Sequence, residues 1–235
     1  GSEMCIRDSF AFKHRLNKVF LTVRGNFTYS KNTIQEKDEE YHVYPYKMEK
    51  GYRVNQARGL VSLGLFKDYD DIRNSPTQTF GTVQPGDIKY KDVNGDGIID
   101  ANDEVPIGAT TRPNLMYGFG ISANWKGLDV NVHFQGTGKS SFFVEGATVY
   151  AFSQGEWGNI LSQVASSDRW VSADISGDPA TENPNASYPR LSFGGNDNNY
   201  RHSTYWLRDG SYLRLKTVEL GYTSVSYTHL TLPTT

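Results

Sequence analysis

A chain of 235 residues, 37% hydrophobic and 21% charged, lies in the ordinary globular range, and 24 basic against 26 acidic residues with no long basic run exclude a nucleic-acid footprint. The single cysteine, Cys5, excludes a disulfide framework and a cysteine zinc site. No apolar run reaches the ~18 residues a membrane helix needs, which leaves open a membrane β-barrel, whose strands need only about 10 alternating residues.

Aromatics and glycines are abundant, 15 Tyr and 23 Gly among them, and favour an extended, turn-rich, all-β chain. The first clear element is 18–30, "KVFLTVRGNFTYS", where Val19, Leu21, Val23, Gly25, Phe27 and Tyr29 interleave with Phe20, Thr22, Arg24, Asn26, Thr28 and Ser30. A long excursion follows, about 31–113. Within it "GLVSLGLF" at 59–66 reads as a hairpin arm or covering strand. Period two returns at 114–125, with Leu115, Tyr117, Phe119, Ile121, Ala123 and Trp125 on one face. Lys126-Gly127 reads as a tight hairpin turn into 128–136, where Leu128, Val130, Val132 and Phe134 oppose Asp129, Asn131, His133 and Gln135.

A second excursion, about 137–209, contains one expected helix. Ser153 and Glu156 form a capping box, Trp157, Ile160, Leu161 and Val164 follow at helical spacing, and the helix ends near Ser166. The last strand, "GSYLRLKTVELGYT" at 210–223, changes phase between Leu215 and Val218, as a bulge would make it. Long strands with one apolar and one wet face, a two-residue turn at one end and excursions of about seventy to eighty residues at the other, are what a membrane barrel with a water-filled lumen requires. A soluble antiparallel sheet with one solvated face has the same alternation.

Within the first excursion, "DVNGDGIIDAND" places oxygen-bearing groups where a twelve-residue calcium loop needs them. Asp92, Asn94, Asp96, the Ile98 carbonyl, Asp100 and Asp103 fill positions 1, 3, 5, 7, 9 and 12, Gly97 takes the sharp turn, and Ile99 is the apolar pin. Asp103 stands where a bidentate Glu is usual, and no helices flank the loop, so the expected Ca2+ is structural. Consecutive Asn-Gly and Asp-Gly turns with incidental acids give the same letters.

Signals of enzymatic chemistry are absent: there is no nucleophile elbow, zinc-protease motif or phosphate loop, and the five histidines lack ligand spacing. Asp168, Asp174, Asp178 and Glu182 read as solvated loop charges. Two sequons, at Asn26 and Asn185, are weak patterns. Tyr150, Trp157, Trp170 and Trp206 suit either sugar stacking or loop packing.

The run 85–108, "PGDIKYKDVNGDGIIDANDEVPIG", the following "RPNLMYGFGISANWKGLDVNVHFQG", then "RW" at 169–170, "YPRL" at 188–191 and "YLRLKTVELGYT" at 212–223, together resemble the C-terminal barrel region of SusC/RagA-type TonB-dependent outer membrane proteins. The resemblance implies a partial transmembrane antiparallel β-barrel, part of a plugged barrel of about 22 strands, with long extracellular loops. It further implies an active importer of glycans or peptides in the outer membrane of a Gram-negative bacterium, of the Bacteroidota. Its partners would be a SusD-like surface lipoprotein, TonB acting through an upstream region, and outer-membrane lipid. The ends, 1–9 and 224–235, resemble translated sequencing-adapter read-through, leaving four full strands and a stub at Phe10 to His14. Four strands with raw edges are expected to aggregate when isolated in buffer. The competing reading is a soluble calcium-stabilised β module that binds carbohydrate at the cell surface; a glycoside hydrolase fragment is more remote.

Overall fold

Strict alternation over long segments builds one large sheet, and the excursions between them build a separate packed unit. A computed structural model describes residues 2–153, 158–166 and 168–224. In chain order the strands are β1 (Ser2–Leu16), β2 (Val19–Thr33), β3 (Gln56–Gly59), β4 (Ser62–Leu65), β5 (Thr77–Gln78), β6 (Ile88–Tyr90) and β7 (Ile98–Ile99). They continue with β8 (Val105–Thr110), β9 (Leu115–Trp125), β10 (Leu128–Gly138), β11 (Ser141–Phe143), β12 (Leu207–Asp209) and β13 (Tyr212–Tyr222). Three short helices are α1 (Tyr69–Arg73), α2 (Ser162–Ser166) and α3 (Ala173–Ser176).

The strand unit comprises Glu3–Lys31, Pro113–Lys139 and the chain from Gly210. Its five strands run in the order β1-β2-β9-β10-β13. Strands β9, β10 and β13 have 11 residues each, the length of a tilted membrane-crossing strand. Lys126 (φ 50°) and Gly127 (φ 87°) both occupy the left-handed region, as a two-residue hairpin turn matching the strand twist demands. A second two-residue connection, Asn17-Lys18, joins β1 to β2, with Asn17 at φ 54°.

Register puts the apolar residues of successive strands in line. Val23, Ile121, Val132 and Val218 form one row, and Leu21, Ala123, Val130 and Leu220 the next. The phase change in β13 is a bulge: Thr217 faces His133 and Leu215 faces Phe134, so Lys216 is the extra residue. The bulge returns Leu213 and Leu215 to the face carrying Val218 and Leu220. Every large apolar residue of that face remains at least partly exposed, Ile121 at 50% and Leu220 at 74%. In water each such side chain forgoes roughly 1.5–3 kcal/mol of burial.

The strand at the start is longer than the expected stub. It spans Ser2–Leu16 and takes in the adapter-like stretch, because Met4 and Ile6 continue the period of Phe10 and Phe12. At the other end only Ser224 of 224–235 is among the described residues.

The loop unit comprises Asn32–Arg112 and Ser140–Asp209. Four two-stranded ladders hold it, β3 with β8, β4 with β6, β11 with β12, and the parallel pair β5 with β7. The segment 59–66 is therefore not one arm: β3 and β4 pair with different partners, and Leu60 between them bridges Ser203. All the buried hydrophobic residues described lie in this unit, with Leu60, Leu65, Ile88, Tyr90, Ile99, Trp170, Ala186 and Trp206 forming a single cluster. The expected helix from Ser153 is shorter. Glu156 and Trp157 lie outside the described residues, 158–161 are not helical, and α2 is one turn of five residues anchored by buried Val164. A single turn is too short to hold itself, so packing decides its extent.

Candidate functional sites

The calcium-type loop is wrapped by its own side chains. Asp92 accepts from the amides of Gly95 (Oδ1, 2.6 Å) and Gly97 (Oδ2, 2.8 Å). Asn94 accepts from Asp96 N (3.0 Å), Asp96 from Ile98 N (2.8 Å) and Asp100 from Asn102 N (2.7 Å). Asp103 is fully buried, with Oδ1 accepting from Val93 N (2.8 Å) and Oδ2 from Asp100 N (2.9 Å). The short side chain at position 12 thus reaches back across the loop, closing a capping box with Asp100. Ile99, the expected pin, is fully buried in the core cluster.

Tyr44, Tyr46 and Lys47 clasp the loop from outside. The Tyr46 hydroxyl donates to the Asn102 carbonyl (2.9 Å), the Asn94 amide donates to the Tyr44 hydroxyl (3.2 Å), and the Lys47 ammonium donates to the Ala101 carbonyl. Burial, followed by the negative charge of Asp103, pushes the Tyr46 phenol above its ordinary range. Among the described residues no three His, Cys, Asp or Glu side chains converge as a preformed metal cluster. The donor types are nevertheless all hard oxygen, the class of ligand a calcium ion takes.

Three of the four loop carboxylates at 168–182 brace the local backbone. Asp168 accepts from Ser187 N (3.2 Å), Asp178 from Ala180 N (2.9 Å), and Glu182 from Ala173 N (2.7 Å) at the start of α3, while Asp174 is exposed. Among the described residues the loop aromatics Tyr150, Trp170 and Trp206 are packing residues. Tyr150 stacks on Tyr200 with centroids 4.3 Å apart and meets Trp206 edge-on at 5.5 Å, and Trp206 Nε1 donates to Asn199 O (2.7 Å). Trp170 lies so close to Gly86 that no Cβ fits there.

Two polar constellations escaped the sequence reading. The first is a knot around Asp87, which is fully buried. Its Oδ1 accepts from Asn196 Nδ2 and Asn199 Nδ2, both at 2.9 Å, and lies 2.7 Å from Arg190 Nε; its Oδ2 accepts from Gln84 N (2.8 Å). Beside it Gln78 donates to the Ile88 carbonyl (3.0 Å) and Asn198, and the Tyr90 hydroxyl donates to Asn198 O (2.6 Å). Stretch 78–90 of the first excursion is thereby joined to 190–199 of the second. The run "NDNN" at 196–199 was the available signal, since so many amide groups together need partners if buried.

The second is a ladder on the polar face of the sheet. Ser122 donates to Asn131 Oδ1 (2.9 Å), Asn131 Nδ2 donates to Glu219 (2.8 Å), and Arg24 reaches Ser122 (3.2 Å) and Asn131 (3.3 Å). Four strands are tied across one row, a charge at each end. On the same face His133 and Asn26 lie down over glycines: a Cβ at Gly120 would sit 2.9 Å from His133 Nδ1, and one at Gly118 3.0 Å from Asn26 Oδ1. The sheet's two faces are thus chemically opposite, one a hydrogen-bonded polar wall and one apolar and, among the described residues, partly exposed.

Comparison with known proteins gives the following likenesses. No family model matches the chain. TonB-dependent receptor P26 of Formosa agariphila is 34% identical over 172 residues, which cover 73% of this chain and 16% of the receptor. Among solved structures, the RagAB peptide transporter superposes with a TM-score of 0.64 at 17% identity, covering 94% of this chain and 22% of that one. The RagAB peptide importer in its open-open state gives 0.60 at 16% identity with the same coverage. The chain therefore spans about a sixth of the curated relative's length (16%) and about a fifth of the structural neighbours' (22%). These relatives are a receptor and a transporter, not enzymes, in keeping with the missing catalytic motifs. The chain is thus similar in sequence to a segment of a TonB-dependent receptor and shares the fold of a segment of the RagAB transporter.

Proposed function

We propose that the chain forms part of the wall and surface loops of an outer-membrane active importer. The observation that carries this reading is the strand unit itself: among the described residues an apolar face five strands wide stays at least partly exposed, while the opposite face is hydrogen-bonded and charged. Lipid on the first face and water on the second satisfy both, and a closed barrel removes the raw edges of β1 and β13. The strands contribute the wall of the pore. The loop unit, held by the Asp87 knot, supplies a folded surface. An oligosaccharide or peptide cargo, a SusD-like lipoprotein partner and energy from TonB are supported by the likeness to a TonB-dependent receptor and to RagAB. The loop at 92–103 holds structural Ca2+ through Asp92, Asn94, Asp96, the Ile98 carbonyl, Asp100 and Asp103; what supports this is the calcium-loop spacing of these oxygen-bearing groups in the sequence, with Ile99 buried as the pin.

The test is membrane fractionation of the full-length protein in a Gram-negative host. It is expected in the outer-membrane fraction, resistant to carbonate and salt and released by detergent. Release by carbonate alone would favour the soluble β module instead.

A further inference from the structure

After β2 the chain folds back on itself between Ile34 and Tyr52, and none of residues 34–52 is buried. We propose that this segment is a strap that swings open as one body and is latched shut by Arg58. The inference rests on the loop unit alone and stands whether or not the strands enter a membrane or the loop at 92–103 takes an ion.

The two limbs of the strap are zipped to each other. Ile34 N donates to the Tyr52 carbonyl (2.9 Å) and Gly51 N to the Ile34 carbonyl (2.8 Å). The Glu39 carboxylate accepts from Glu49 N (2.9 Å) and Lys50 N (3.2 Å), and Lys37 pairs with Glu49 at 2.6 Å. This bracing keeps 34–52 together when it moves. At the base Gly51 (φ 87°) and Asn55 (φ 60°) lie in the left-handed region, loop positions of the kind where a hinge absorbs a change of dihedral.

The fastening to the rest of the loop unit is polar. Arg58 of β3, half-buried, donates through Nη1 to the Tyr46 carbonyl (2.7 Å) and through Nη2 to the Met48 carbonyl (2.6 Å), and its guanidinium lies 5.1 Å from the centre of the Tyr52 ring. All three partners belong to the strap. On the other side Tyr44, Tyr46 and Lys47 hold the edge of 92–103 through Asn94, Asn102 and Ala101. A segment held by hydrogen bonds, with none of its own residues buried, opens locally below the global unfolding free energy. Bonds from a charged donor to two carbonyls are the strongest of the set, which makes Arg58 the latch. Opening moves the exposed tip at Tyr41 (85%) and Val43 (73%) and releases the edge of 92–103 in the same step, so tip and loop are coupled.

Double electron–electron resonance on the full-length protein tests the proposal. Nitroxides on Val43→Cys and Leu63→Cys, both exposed sites, report the distance from tip to body, and a second pair on Gln35→Cys and Lys50→Cys reports limb to limb. Arg58→Met keeps the apolar stem and removes both donors. It should enlarge a longer tip-to-body population at least about tenfold over the parent, since each bond from a charged donor is worth about tenfold or more. Tyr46→Phe, which loses one neutral bond, should enlarge it about fivefold. The limb-to-limb distance should stay constant in both. The proposal is overturned if the tip-to-body distances of Arg58→Met match the parent's or, where circular dichroism shows that variant unfolded, if those of Tyr46→Phe do. It is equally overturned if the limb-to-limb distance lengthens with opening, because the strap would then fray rather than swing.

Discussion

Replacing Asp87 with Ala tests what holds the two excursions together. The carboxylate is fully buried, and its removal leaves the Arg190 guanidinium, the Asn196 and Asn199 amides and the Gln84 N–H without their acceptor. Breaking a buried pair by deleting one partner costs about 3–5 kcal/mol, because the stranded charge stays desolvated. At about 1.4 kcal/mol per tenfold, amide exchange through local opening should accelerate by roughly 10²- to 4 × 10³-fold. The assay is hydrogen–deuterium exchange by mass spectrometry on the full-length protein, following 78–90 and 190–206. The strands β9 and β10 serve as an internal reference, since the knot draws no residue from them. Asp87→Asn, which keeps the shape but turns an NH2 toward donors, should fall between parent and Ala. Unchanged exchange in 78–90 and 190–206 would refute the claim that the knot joins the excursions, and equal acceleration in the strands would show that the damage is global.

Val132 lies mid-strand on the apolar face, so Val132→Arg should cost about 2–4 kcal/mol of barrel stability. His133→Arg on the polar face should cost little; the two are compared by heat-modifiable mobility in gels, and equal effects would contradict the assigned faces. Calcium at about 100 times its Kd should raise stability by about 2.7 kcal/mol, reversed by a chelator and lost in Asp96→Ala; a melting temperature indifferent to chelator would remove the ion from the account. Burial pushes the Tyr150 phenol up to about 12 and raises Tyr90 and Tyr205 as well. Since the folded values exceed the unfolded value of about 10, their contribution is complete below pH ~10 and is lost as pH rises through the folded values. Absorbance of tyrosinate should therefore show a late step coinciding with loss of near-ultraviolet dichroism, and complete ionisation by pH ~10.5 with the fold intact would contradict it.

The sheet was readable because alternation is local: one glance at Val130, Val132 and Phe134 assigns a face, and the register merely aligns faces already assigned. Even the irregularity at 215–218 was visible as a broken period, and its resolution by the extra residue Lys216 follows from the pleat. The hairpin at Lys126-Gly127 announced itself by its glycine, whereas Asn17-Lys18 did not, since Asn enters the left-handed region without a sequence partner to mark it. The loop unit was far less legible. Its contacts join residues over a hundred positions apart, as Asp87 with Asn199, and no short-range pattern encodes such a pairing. The ligand spacing of 92–103 was legible as a string of oxygens, yet the back-reach of Asp103 to Val93 and Asp100 depends on burial that only the assembled unit supplies. Likewise the aromatics Tyr150, Trp170 and Trp206 could be read as platforms until their neighbours showed them to be packing.

The central claim is that one face of the strands meets hydrocarbon and the other meets water. Single-cysteine variants at Val132 and His133 of the full-length protein, labelled with a small fluorophore and reconstituted in vesicles, report this directly. Brominated acyl chains should quench the label at 132 and leave 133 to a water-soluble quencher such as iodide. Quenching of 133 by the lipid and of 132 by iodide would contradict it.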